Sequence, residues 1–130
     1  MAREQQKDLA QRFIDAQSKG DVEALSSVLA PDAKHDLLPA SLGVGQQDNE
    51  KKLGIIKRAA TALGNKEIKI LQTIQDVEQR KTALFIEKQY EFGPVQSFLV
   101  LNFDADNSSI THTIEFVNGE AWKKLSARVQ

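Results

Sequence analysis

At 130 residues, 41% of them hydrophobic, the chain carries apolar material for one core of ordinary size, and a single domain over residues 1–130 is expected. Seventeen Lys and Arg against eighteen Asp and Glu leave a net charge of −1, which gives no electrostatic footprint for nucleic acid or an anionic membrane. With no cysteine, no apolar leader between Met1 and Lys19 and no run approaching the roughly 20 apolar residues of a membrane span, disulfide, thiolate and transmembrane chemistry fall away, and the expectation is a soluble cytoplasmic protein.

Leu9, Phe13 and Ala16 recur at helical spacing and predict a first helix from about Arg3 to Lys19, ended by Gly20. Asp21 is placed to cap a short second helix through Leu29, and Pro31-Asp32 turns the chain into an extended segment. A first strand is expected over Ala33 to Leu38, closed by Pro39. The glycine-rich run Leu42-Gly43-Val44-Gly45-Gln46 has no lysine or hydroxyl residue in P-loop spacing and reads as a mobile loop. Asp48 or Asn49 caps a third helix bearing Leu53, Ile56, Ala60 and Leu63 on one face, ending at Gly64-Asn65.

From Lys66 onward the period changes to two. Ile68, Ile70 and Ile74 form one run, Leu84, Ile86, Tyr90 and Phe92 a second, Phe98 to Leu101 a third, and Ile110, Ile114 and Phe116 a fourth. Turns are expected at Glu78 to Lys81, at Gly93-Pro94 and at Asp104 to Asn107, with a last helix from about Gly119 to Arg128 docking Trp122 and Leu125. Helices first and an antiparallel meander second predict an α+β fold with the helices on one face of the sheet. Phe98 and Val100 then point away from the helices, so the outer face needs either a second copy of the chain or the last helix as its cover.

The order of elements around Arg12 to Ala33 resembles the opening of the nuclear transport factor 2-like superfamily, which includes ketosteroid isomerase and the SnoaL polyketide cyclases. That resemblance implies a cystatin-like cone: a curved antiparallel sheet with N-terminal helices packed on its concave face, and a homodimer through the outer face. His35 to Gly43, with Gly93-Pro94 and Ile114 to Asn118, also looks like a group of fungal SnoaL-like proteins. Matched without gaps to the isomerase, its oxyanion-hole tyrosine falls on Phe13, its general-base aspartate on Leu37 and its protonated aspartate on Leu99. A phenyl ring donates no hydrogen bond and a leucine moves no proton, so steroid isomerisation by that mechanism is excluded.

The same match directs His35, His112, Ile114 and Phe116 into the cavity, with Ser97 and Leu101 beside Leu99. His35 and His112 are therefore the candidate catalytic pair, able to exchange protons near neutral pH. An inward histidine serves equally as a hydrogen-bonded structural group. Phe13, Leu37, Tyr90, Ser97, Leu99, Ile114 and Phe116 are the candidate ligand-binding residues. Asp36 and Glu115 are expected on the outer face, and Glu87 and Lys88 are left unassigned. No metal site and no cofactor are implied, since two histidines lack a third ligand. Two functions remain: a cofactor-independent isomerase, cyclase or dehydratase of an apolar polyketide- or terpenoid-like molecule, and a non-catalytic dimeric ligand-binding or structural module.

Overall fold

The computed structural model describes residues 1–64 and 66–129. Helix α1 (Ala2–Lys19) buries Leu9, Phe13, Ile14 and Ala16. It stops at Gly20, whose φ of 63° lets the Asp21 amide reach the Ala16 carbonyl at 2.9 Å. Asp21 then accepts a side-chain hydrogen bond from the Ala24 amide at 3.1 Å and starts α2 (Val22–Val28). Asp48 does the same for α3 (Asn49–Leu63) through the Lys51 amide at 3.0 Å. Asn65, expected beside Gly64 at the end of α3, lies outside the described residues.

Strands β1 (Leu29–Leu38), β2 (Gln46–Gln47), β3 (Ile68–Asp76), β4 (Lys81–Tyr90), β5 (Gly93–Phe103) and β6 (Ile110–Val117) form one curved sheet in the order β2-β1-β6-β5-β4-β3. The α+β class and the expected antiparallel meander from β3 to β6 are both present, but β1 joins β6 in parallel. Part of the expected mobile loop is ordered, with a 3₁₀ turn at Ala40–Leu42 and β2 paired antiparallel to β1. The β4–β5 hairpin turns on Glu91 and Phe92, one step before the expected Gly93-Pro94, because Gly93 already pairs with Tyr90.

The core lies between α1, α2 and the concave face of the sheet, where Phe13, Leu25, Leu84, Ile86, Leu99, Leu101 and Ile110 are fully buried. At its narrow end the buried Gln6 donates to Asn107 Oδ1 at 2.8 Å and accepts from Gln75 at 3.2 Å, tying α1 to the β5–β6 turn and to β3. Burying that amide is tolerable because its polar atoms are paired.

Among the described residues nothing covers the convex face. Phe85 and Phe98 stack there with ring centroids 4.6 Å apart. A bulge between Ile70 and Gln72 turns Ile74 out beside them, and Ile74, Phe98 and Phe116 are 62%, 56% and 52% exposed. Helix α4 (Gly119–Val129) packs on α3, so Trp122 and Leu125 lie on the helical side and do not cover the convex face. No described helix is long and apolar enough to cross a membrane.

Leu99→Ala is expected to lower unfolding free energy by about 2–5 kcal/mol in a denaturant titration. Ile74→Ser, on the exposed face, should stay within about 0.5 kcal/mol of the parent chain when both are monomeric.

Candidate functional site

Strand pairing decides which residues share the cavity. In the parallel β1–β6 ladder His35 pairs with Thr113 and Leu37 with Glu115, while across β5–β6 Leu99 pairs with Glu115 and Ser97 with Val117. His35, Leu37, Thr113 and Glu115 therefore project to the concave side. His112, Ile114 and Phe116 project to the convex side, opposite to the facing expected for them. The reason is register: β6 is offset by one residue from the gapless match, and a slip of one turns every side chain over. An irregularity between Asn102 and Phe103, next to the β5–β6 turn, marks where the register changes.

The two histidines thus lie on opposite faces and exchange no protons with each other. His112 Nε2 sits 2.7 Å from Asp36 Oδ2 on the outer face, which also confirms Asp36 as an outward residue. His35 is buried with both ring nitrogens engaged, Nδ1 to Thr113 Oγ1 at 2.7 Å and Nε2 to Asn49 Oδ1 at 2.8 Å. Asn49 Nδ2 donates to the Ala30 carbonyl at 2.8 Å, so its Oδ1 is the acceptor and His35 carries its proton on Nε2. Burial and the neighbouring Lys52 charge lower the His35 pKa against the opposing Asn49 hydrogen bond, which keeps the ring neutral. Its evident work is to fasten the first turn of α3 to the sheet.

Glu115, expected on the outer face, is the centre of the cavity floor. Its carboxylate accepts a hydrogen bond from Ser97 Oγ at 2.9 Å and from Lys88 Nζ at 3.5 Å, and Lys52 Nζ lies 3.9 Å away. Burial alone would raise its pKa, but Lys88, Lys52 and Ser97 together bring it down to about 2. A carboxylate held that low is a weak base at neutral pH and acts as a fixed charge. Burial also works against the Lys88 ammonium, yet the charge of Glu115 and the hydrogen bond to it raise its pKa overall. At Lys52 burial prevails over the attraction of Glu115, and Lys88 adds to the effect, so its pKa is lowered. Burial likewise raises the pKa of Tyr90, which remains a neutral phenol.

These groups line a cavity of about 110 Å³ together with Leu37, Ile56, Trp122 and Leu125. An apolar cleft of about 370 Å³ between α3 and α4 shares Ile55, Ala59, Trp122 and Leu125 with it. Of the expected ligand-binding residues, Leu37 and Tyr90 line the cavity. Phe13 and Leu99 are packed in the core, and Ser97 is buried against Glu115. Sequence reasoning missed Lys52 and Glu115 as site residues and left Lys88 open. The signal for Lys52 was available, since it follows the cap Asp48 by four residues and belongs to the first turn of α3, on the same side as Ile55 and Ile56. Among the described residues no group of three or more His, Cys, Asp or Glu is arranged to hold a metal ion.

No family model matches the chain. The chain is 24% identical over 125 residues to the monooxygenase ptaG of Pestalotiopsis fici, covering 92% of this chain and 87% of that protein. Among solved structures it is similar to the BvnE pinacolase of Penicillium brevicompactum, with a TM-score of 0.86 and 20% identity over 98% of this chain and 92% of that one. PrhC of Penicillium brasilianum superposes with a TM-score of 0.84 at 18% identity, over 99% of this chain and 90% of that one. A SnoaL-like polyketide cyclase from Shewanella putrefaciens gives 0.75 at 12% identity, over 95% and 86% of the two chains. At these identities the likeness shows the fold alone, the curved-sheet α+β fold shared by these structures.

Glu115→Gln should destabilise the protein by about 3–5 kcal/mol near neutral pH, since it leaves two buried ammonium groups unpaired. The folded-state pKa of Glu115, about 2, lies below its ordinary 4.5. Its contribution is therefore complete above pH 4.5 and lost as the pH falls through about 2. Chemical denaturation at a series of acidic pH values should show the parent losing stability across that window while the variant changes less.

Proposed function

We propose that the protein is a cofactor-independent catalyst of isomerase, cyclase or dehydratase type, acting on an apolar polyketide- or terpenoid-like molecule. The observation that carries this reading is the ionised floor at the end of an apolar cleft, where Lys52, Lys88, Glu115 and Tyr90 converge out of bulk water. Reactions of this kind put charge on a substrate oxygen, and preorganised donors in a water-poor site lower that barrier most effectively. Lys52, an ammonium of lowered pKa, and the neutral hydroxyl of Tyr90 are the groups assigned to that oxygen. Glu115 and Lys88 hold the field fixed, and His35 acts as a positioning residue through Asn49 and the start of α3. The pinacolase and cyclase names of the structural neighbours support a rearrangement or ring closure, while the sequence relative carries a monooxygenase name.

One observation favours the second reading, a non-catalytic ligand-binding module. Both nitrogens of His35 are occupied and Glu115 is a poor base, so the general base of the reaction has no ready candidate among the groups on the floor. We also propose a homodimer through the convex sheet face. An apolar band containing Ile74, Phe85, Phe98, Ile114 and Phe116 runs across this face, with Ile74, Phe98 and Phe116 more than half exposed, and a second copy of the same face would cover it.

The activity test is incubation of the purified protein, without added cofactor, with a panel of hydroxylated or enolisable polyketide and terpenoid compounds. The expected product has unchanged mass or has lost one water. Lys52→Met should slow turnover by about 10²–10³-fold. The rate should also fall on the alkaline side below the ordinary lysine value of 10.5, because Lys52 loses its proton early. The groups facing Lys52 from the other elements are Glu115, Lys88, Tyr90 and His35, with Lys66 at the rim. Tight binding with no turnover would favour the module, and turnover insensitive to both Lys52→Met and Tyr90→Phe would remove the proposed site.

Light scattering should give about twice the chain mass of 14.5 kDa and return to the monomer value in Phe98→Asp. A monomer at tens of micromolar for the parent chain would count against the dimer.

A further inference from the structure

The charges on the cavity floor do not balance. Three ammonium groups, Lys52, Lys66 and Lys88, line the cavity against the single inward carboxylate of Glu115. The side chain of the other acidic residue there, Asp36, is held on the outer face by His112. His35 is neutral and adds nothing. The three ammonium groups are not equivalent. Lys88 hydrogen-bonds Glu115 at 3.5 Å, and Lys66 stands 5.9 Å over the Tyr90 ring at the rim. Lys52 has only a 3.9 Å ion pair and, among the described residues, makes no hydrogen bond, although its side chain is 12% exposed. Lys52 Nζ still reaches solvent at the cavity wall, so its donors are open to a ligand that supplies an acceptor.

Resting on the reading of this cavity as a ligand site, we infer that the protein takes an apolar molecule bearing one ionised oxygen acid, a carboxylate or an acidic enol, and binds that oxygen on Lys52. The apolar body lies in the cleft between α3 and α4 along Ile55, Ala59 and Leu125, whose wall also carries Arg58 and Ser126. Tyr90 supplies a second, neutral donor beside the anion. Charge-assisted hydrogen bonds in a buried site discriminate strongly between an anion and a neutral group of the same shape.

Trp122 is the single tryptophan of the chain and lines both the cavity and the cleft, so its fluorescence reports occupancy. The test titrates the full chain near neutral pH with geranic acid and with geraniol, which share a carbon skeleton and differ in the anionic group. The expected result is that the acid binds at least about tenfold tighter. In Lys52→Met, checked for folding by circular dichroism, the acid should lose its preference and bind no more tightly than the alcohol. Lys52→Arg should restore part of the preference. Equal affinity of the parent chain for acid and alcohol would overturn the inference and leave the apolar cavity intact as a binding site. Persistence of the preference in a folded Lys52→Met protein would overturn the assignment to Lys52. Binding of neither probe would overturn both this inference and the reading of the cavity on which it rests.

Discussion

A carboxylate withdrawn from water must be met by opposite charge and by donors, or it does not stay ionised. Glu115 is met from three directions: Lys88 on β4, Ser97 on β5 and Lys52 on α3. The inner ends of sheet and helix are therefore bound to one oxygen pair, and the shape of the cavity follows from that convergence. His35 adds a second fastening between β1, β6 and the start of α3, so the turn that carries Lys52 has little freedom to drift away from the floor. The polar network is the part of the interior where substitution by an apolar residue changes both the charge and the geometry.

The fold was legible because it is written in local signals. Gly20, Asp21 and Asp48 mark helix ends by chemistry that needs no distant partner, and Leu84, Ile86, Leu99 and Leu101 repeat with the period of a strand buried on one face. The parallel seam between β1 and β6 was not legible, since nothing within either strand announces which neighbour it takes. The site suffered for the same reason. Facing on β6 depends on how many residues the β5–β6 turn consumes, and an offset of one sent His112 outward and Glu115 inward. Lys52 and Lys88 look like ordinary solvated lysines in the sequence; only the fold reveals that their stems run along apolar surface to a buried carboxylate.

The two sides of the sheet use their residues in opposite ways. The concave side confines its few ionisable groups to one end and fills the other with Phe13, Leu25 and Leu101. The convex side scatters its charged residues around an aromatic pair, Phe85 on Phe98, and carries the remaining histidine as a partner for Asp36. Alternation along each strand separates these two environments by a single residue step, so neighbouring positions such as Glu115 and Phe116 have no surroundings in common.

The parallel seam also fixes an order of events along the chain. Strands β3 to β6 are successive hairpins that close over short turns, whereas β1 must wait for β6, and the His35 to Thr113 bond spans 78 positions of sequence. Gln6 and Asn107, which seal the narrow end, are farther apart still, at 101 positions. Contacts of such separation form late, because closing a long loop costs entropy before it yields any packing. During synthesis, α1, α2 and β1 emerge first and pack on one another and on α3, yet part of their apolar surface stays open until the last strand has left the ribosome. The pocket is thus the final region of the molecule to come into being, and the newborn chain is at its most aggregation-prone in the interval before it does.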